Sequence, residues 1–176
     1  HPGVNRTNFA YFLFLASFSG TEFALTFLAA DRFRYGPKGN ALMLLFVGVV
    51  LALAQGSYVQ RKSSEVGAKR MSVQGLLFAI PGLALVGYAP NPWLLYIGLF
   101  FMAVGSAQVI PCLTALASLY APAADQGRIL GVFRSLGALA RALGPLIACV
   151  AYWRLGGAVT YYLVAVFMAV PLLIAQ

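Results

Sequence analysis

The sequence predicts an all-α membrane protein of six transmembrane helices, and three observations carry that prediction. Hydrophobic residues make up 61% of the 176-residue chain and charged residues 9%, far outside the range of a soluble domain. Six apolar runs recur, each about long enough to cross a hydrocarbon core of ~30 Å at ~1.5 Å per residue. The twelve Lys and Arg sit mostly in the short gaps between these runs, where membrane topology concentrates them.

The runs cover about 8–30, 41–58, 71–89, 93–120, 127–153 and 159–175. Each is continuous rather than alternating, which excludes the strands of a membrane barrel. In lipid the backbone must satisfy its own hydrogen bonds, so each run is expected to be a helix. The gaps are punctuated and short. Residues 31–40 carry Gly36-Pro37 and Gly39-Asn40. Residues 61–70 carry Arg61, Lys62, Lys69 and Arg70 against Glu65. Pro90-Asn91-Pro92 is a tight turn, 121–126 holds Asp125, and 154–158 contains glycine. None of these gaps holds a soluble domain, so function is expected in or at the helices.

The gap between the second and third spans has the densest positive charge, which places it in the cytoplasm. The N-terminus and the fourth-to-fifth gap then share that side. Six Lys/Arg fall inside and four outside, apart from two within a span. The formal charge of +8 thus follows topology; no basic stripe interleaved with aromatics is present, and nucleic acid is not expected as a partner. Cys112 and Cys149 lie inside apolar runs and read as small buried hydrophobes. The lone histidine is His1, which excludes an imidazole metal cluster. Asn5-Arg6-Thr7 matches a glycosylation acceptor but lies too close to the first span for ready use. The start at His1 has no signal-peptide pattern, and a fragment of a longer protein is the simplest expectation.

An ionisable side chain within a span costs a few kcal/mol even on lenient insertion scales, so it marks a candidate site. Three stand out: Glu22 in the first span, and Arg134 and Arg141 in the fifth. The arginines are two helical turns apart and share a face with Ala138 and Pro145, beside Gly137. Guanidinium binds carboxylate bidentately and stays charged, so this face suits an anionic small-molecule substrate. Glu22 shares a polar stripe with Ser19 and Thr26. Glu22 and Arg141 both lie ~21 Å from the cytoplasmic ends of their helices. Facing each other, they form either a proton-coupling pair or a permanent structural one. Gln55 and Gln108 are weaker substrate-binding candidates, because polar groups in spans often only bridge helices. The third and sixth spans lack so deep a polar residue and are the better lipid-facing candidates. In the fifth span, Gly127-x3-Gly131-x3-Ser135 reads as a seam for close helix approach, and Gly144-Pro145 as a place where the helix can open.

Three blocks carry a family resemblance: Phe23-Ala24-Leu25-Thr26-Phe27-Leu28 followed by Asp31-Arg32-Phe33; Gln55-Gly56 before the basic loop; and Gln126-Gly127-x3-Gly131-x2-Arg134-Ser135-Leu136-Gly137-Ala138-Leu139-Ala140-Arg141-Ala142-Leu143-Gly144-Pro145. The chain resembles the C-terminal half of a major facilitator superfamily carrier, in the drug:proton antiporter branch of the tetracycline-resistance type. The last block most resembles the vertebrate tetracycline-transporter-like organic anion transporters. The resemblance implies two inverted three-helix repeats and a missing N-terminal six-helix half. First and fourth spans would be central, second and fifth would flank the cavity, and third and sixth would lie outside. It also implies a gating role for the basic loop at 56–70, with Arg61, Lys62, Lys69 and Arg70. This loop departs from the family's short pattern: Gln60 replaces a common acidic residue, and extra residues separate Arg61 from Lys69.

The expected function is secondary active transport of organic anions or amphipathic drug-like molecules by alternating access, with Glu22 the candidate for proton coupling. The alternative is a non-transporting membrane scaffold or receptor-like protein that retains the carrier fold. No Gly-rich loop ending in Gly-Lys-Ser/Thr is present, so energy would come from a gradient and no cofactor is expected. In-span catalytic histidines and paired carboxylates are lacking, so the chain is not expected to be an enzyme.

Overall fold

The computed structural model describes residues 2–175, and His1 therefore lies outside the described residues. The first helix, α1 (Pro2–Phe33), is stopped by Arg34, whose φ of 52° puts it in the left-handed region. There the Arg34 and Tyr35 amides donate to the carbonyls of Ala30 and Ala29, tying off the helix end. Pro37 opens α2 (Pro37–Leu53), where its missing N–H and fixed φ cost nothing. The chain then passes without a break through a π-helical turn, Ala54–Val59, into α3 (Gln60–Val66). Gly67 ends this rod and α4 (Ala68–Tyr88) begins at once. Asn91 caps α5 (Pro92–Tyr120) by accepting the Leu94 amide at 2.9 Å. After a turn come α6 (Gln126–Leu155), α7 (Gly157–Phe167) and α8 (Ala169–Ala175), the last two separated at Met168.

Six helical stretches among the described residues are long and apolar enough to cross a membrane: Gly3–Phe33, Pro37–Ser63, Ala68–Tyr88, Pro92–Tyr120, Gln126–Leu155 and Gly157–Ile174. The protein is an integral, multi-pass membrane protein. The expected order of spans holds, but two gaps are shorter than expected. Asp31 and Arg32 belong to the last turns of α1, and the basic gap at 61–70 is helical except at Gly67. Polar side chains lowered the apolar signal there without removing helix propensity, because Arg, Lys, Gln and Glu are all good helix formers.

Two three-helix repeats are visible in the backbone. Pro37 and Gln126 open the second helix of each, and Gly67 and Gly156 end it. Ala68 and Gly157 open the third, all at the same chain interval. Gly67 (φ 83°, ψ 144°) and Gly156 (φ 86°, ψ 160°) share one backbone conformation, accessible to glycine but strained for residues with a Cβ. Each makes a one-residue joint between successive spans.

Two helix pairs hold the bundle together. The more extensive is α4 with α5 and the next is α1 with α6. In the first, a Cβ placed on Gly82 would stand 2.9 Å from the Gly98 carbonyl oxygen, and one on Gly75 would stand 2.8 Å from Val109. In the second, a Cβ on Gly20 would stand 2.7 Å from the Gly144 carbonyl oxygen, and one on Gly144 would run into the Ala16 backbone. Between transmembrane helices, close backbone approach replaces hydrophobic collapse as the main packing gain. Gly144 therefore serves a different purpose from the expected opening of α6, which runs unbroken through Pro145. Gly127 and Gly131, the expected seam, face open space instead. The first and fourth spans are the most buried and the second the least; the third is half-buried against α5 and α7.

Candidate functional site

The face of α6 that packs on α1 runs Phe133, Gly137, Ala140, Gly144, Ala148 and Tyr152, recurring every three or four residues. Phe133 stacks on Tyr11 of α1 with ring centroids 3.9 Å apart, and Gly137 admits the same tyrosine ring. Packing along this line fixes the rotation of α6. Arg134 and Arg141 each sit one position past a buried residue, hence ~100° around the helix, at the edge of the contact with α1. Both side chains are exposed.

Across that edge, the Ser19 hydroxyl donates to the Arg141 carbonyl at 3.3 Å, which brings the polar stripe of α1 alongside α6. Glu22, one turn further along, is exposed on the same side, and Arg141 is the cation whose field reaches its carboxylate. The two do not close into a contact pair. The one ion pair within 4.0 Å among the described residues is Lys62–Glu65, at 2.6 Å on the exposed surface of α3. Glu22 and Arg141 thus lie near each other without closing an ion pair, and Arg134 stands two turns away along α6.

The other candidates fall elsewhere. Gln108 is buried, donates to the Val104 carbonyl at 3.1 Å and lies against Gly75 of α4, inside the α4–α5 contact. Its Oε1 has no hydrogen-bond partner, so it is a cost within the packing rather than a group on the open side. Gln55 lies in the π-helical turn, half-buried. Arg61 and Lys62 project from α3, and Lys69 and Arg70 from the first turn of α4; all four are exposed. Just inside this end, Gln74 donates to the Tyr58 hydroxyl at 3.2 Å, joining the π-helical turn to α4.

From the middle of α1 to its opposite end the structure reveals a polar clamp that sequence reasoning missed. The Tyr152 hydroxyl donates to Asp31 at 2.6 Å, Tyr161 donates to the Thr21 carbonyl at 2.7 Å, and Arg32 donates to the Ala89 carbonyl at 3.2 Å. These bonds tie α1 to α6, α7 and the end of α4. No local pattern announces them, because partners up to 140 positions apart meet only through the helix order.

The sequence profile of the Major Facilitator Superfamily matches residues 7–175. The chain belongs to the major facilitator superfamily. Among superfamily members, it is 38% identical over 163 residues to the Bos taurus major facilitator superfamily domain-containing protein 10, covering 92% of this chain and 35% of that protein. It is 28% identical over 122 residues to the class C tetracycline resistance protein of Escherichia coli, covering 69% of this chain and 31% of that one. The crystal structure of the human organic anion transporter MFSD10 (TETRAN) superposes with a TM-score of 0.93 at 32% identity, over 98% of this chain and 40% of that one. The chain thus spans about a third of the length of these curated superfamily relatives.

Proposed function

We propose that this chain is the C-terminal six-helix half of a secondary active transporter that moves organic anions or amphipathic drug-like molecules by alternating access. The observation that carries this reading is the open set of Arg134, Arg141 and Glu22 beside the α1–α6 contact. Charges at this depth are costly, and the fold does not demand the arginines: at the 89-residue interval between the second helices of the two repeats, Leu45 and Ala52 stand in their place. A permanent structural pair would be closed, whereas Glu22 and Arg141 are not in contact. Two guanidinium groups with no ion-pair partner among the described residues offer bidentate sites for a carboxylate or sulfonate. Similarity to a solved organic anion transporter supports the same class of substrate. Glu22 is the proton-coupling group, since a carboxylate exposed to a cation in one state of the cycle and to lipid or substrate in another changes its proton affinity. The basic cluster of Arg61, Lys62, Lys69 and Arg70 around the Gly67 joint is the inner gate.

The test is uptake and efflux of labelled organic anions in vesicles containing the full-length carrier, as wild type, Arg134→Ala, Arg141→Ala and Glu22→Gln. The arginine variants lose transport while remaining folded, and Glu22→Gln transports without pH dependence. Normal transport by all three would make the charges structural and remove the site.

A further inference from the structure

At the inner end of the bundle, a pocket of about 140 Å³ opens between α1, α4, α5 and α8. Arg6 from α1 and Lys69 from α4 line it, with Thr7, Leu113, Tyr120 and Ile174 among the walls. A wider crevice of about 530 Å³ adjoins it, shares Arg6 and Ile174, and is otherwise walled by Asn5, Phe9 and Leu173. We propose that this pocket and crevice bind one anionic phospholipid of the inner leaflet, its phosphate between Arg6 and Lys69 and an acyl chain along Phe9 and Leu173.

Two independent features point to a ligand with an anionic head and an apolar tail. First, cations from helices far apart in sequence converge on one cavity, and neither has an acidic partner within ion-pair distance among the described residues. Glu65 is held by Lys62, Glu22 lies deep within α1 and Asp31 at the opposite end, leaving Asp125, in the turn before α6, as the other carboxylate at this end. Lys69 also stands in the first turn of a helix whose cap, Gly67, offers no side-chain oxygen and whose first turn has no acidic residue. A cation there opposes the helix dipole, and a phosphate relieves the conflict. Second, the crevice beside the pocket is apolar and outward-facing: Phe9 is 53% and Leu173 69% exposed. A free phosphate has no use for that wall, whereas an acyl chain does. Basic pockets between transmembrane helices on the cytoplasmic side suit lipid phosphates, and the anionic inner leaflet supplies them. The site lies at the helix ends, apart from Arg134 and Arg141, and does not depend on what the carrier moves.

The test uses the full-length carrier in phosphatidylcholine nanodiscs doped with phosphatidylglycerol, with retained lipid counted by native mass spectrometry. Wild type retains phosphatidylglycerol in preference to phosphatidylcholine. Arg6→Gln/Lys69→Gln lowers that preference about tenfold or more, while the charge-keeping Arg6→Lys/Lys69→Arg variant preserves it. Arg61→Gln/Arg128→Gln removes the same charge from the same end but outside the pocket, and leaves retention unchanged. Equal loss in both glutamine variants would show general surface attraction, and no loss in Arg6→Gln/Lys69→Gln would exclude the pocket; either overturns the proposal. Displacement of phosphatidylglycerol by millimolar inorganic phosphate would make this a free-anion site and overturn the lipid assignment.

Discussion

Arg141 and Arg134 present the same chemistry in different settings, since only Arg141 lies beside Ser19 and within the field of Glu22. Losing a charge-assisted hydrogen bond to a bound anion costs about 1.5–3 kcal/mol. Arg141→Ala is therefore expected to raise the KM for an anionic substrate by about ten- to a hundredfold. Arg141→Lys is expected to recover only part of this, because lysine lacks the planar fork. Initial rates of anion uptake check both; full recovery by lysine would mean that charge alone matters. Farther from the site, Tyr161→Phe removes a buried bond to the Thr21 carbonyl and is expected to cost about 1 kcal/mol. Thermal unfolding in detergent reads that loss. The three in-span charges were legible from sequence because each interrupts an apolar run at an energetic cost. The position of Gln108 within the α4–α5 contact was not legible, since a glutamine in a span fits a cavity wall and a packed helix contact equally well.

Sequence spacing does not separate the helix glycines that pack on a neighbour from those that face open space. Gly144 and Gly105 meet the backbone of a neighbouring helix, whereas Gly48, Gly56 and Gly131 meet nothing. Gly144→Ala is expected to destabilise the carrier by about 1–3 kcal/mol through overpacking against Ala16. Gly56→Ala fills open space within a helix and is expected to be neutral or stabilising by up to about 1 kcal/mol. Melting temperatures of the two variants should thus move in different directions, and a common fall would refute the sorting. Gly67→Ala places a Cβ where φ is +83°, at a cost of about 1–3 kcal/mol. The π-helical turn at Ala54–Val59 was not foreseen. Its residues carry no motif that separates a π-helical turn from an α-helical one. Its partner contact, Tyr58 with Gln74, crosses between helices and leaves no local trace.

Taken together, the six spans expose much of α2 and α6 to whatever lies outside the chain. The chain covers about a third of its curated relatives, and Gly127 and Gly131 open onto that uncovered side. If the proposed other half packs there, Gly131→Leu will lower both thermal stability and transport. A variant that melts and transports like wild type would place that face against lipid. Composition and the six apolar runs sufficed to determine a membrane protein, the number and order of its spans, their helical nature and the identity of the costly in-span charges. These depend on transfer free energies and backbone satisfaction, which act residue by residue along the chain. Which helices touch, which glycines are filled, where Gln108 points and how Asp31 meets Tyr152 were decided only in three dimensions. In lipid every helix face is apolar enough to be exposed, so pairing turns on the mutual fit of surfaces distant in sequence.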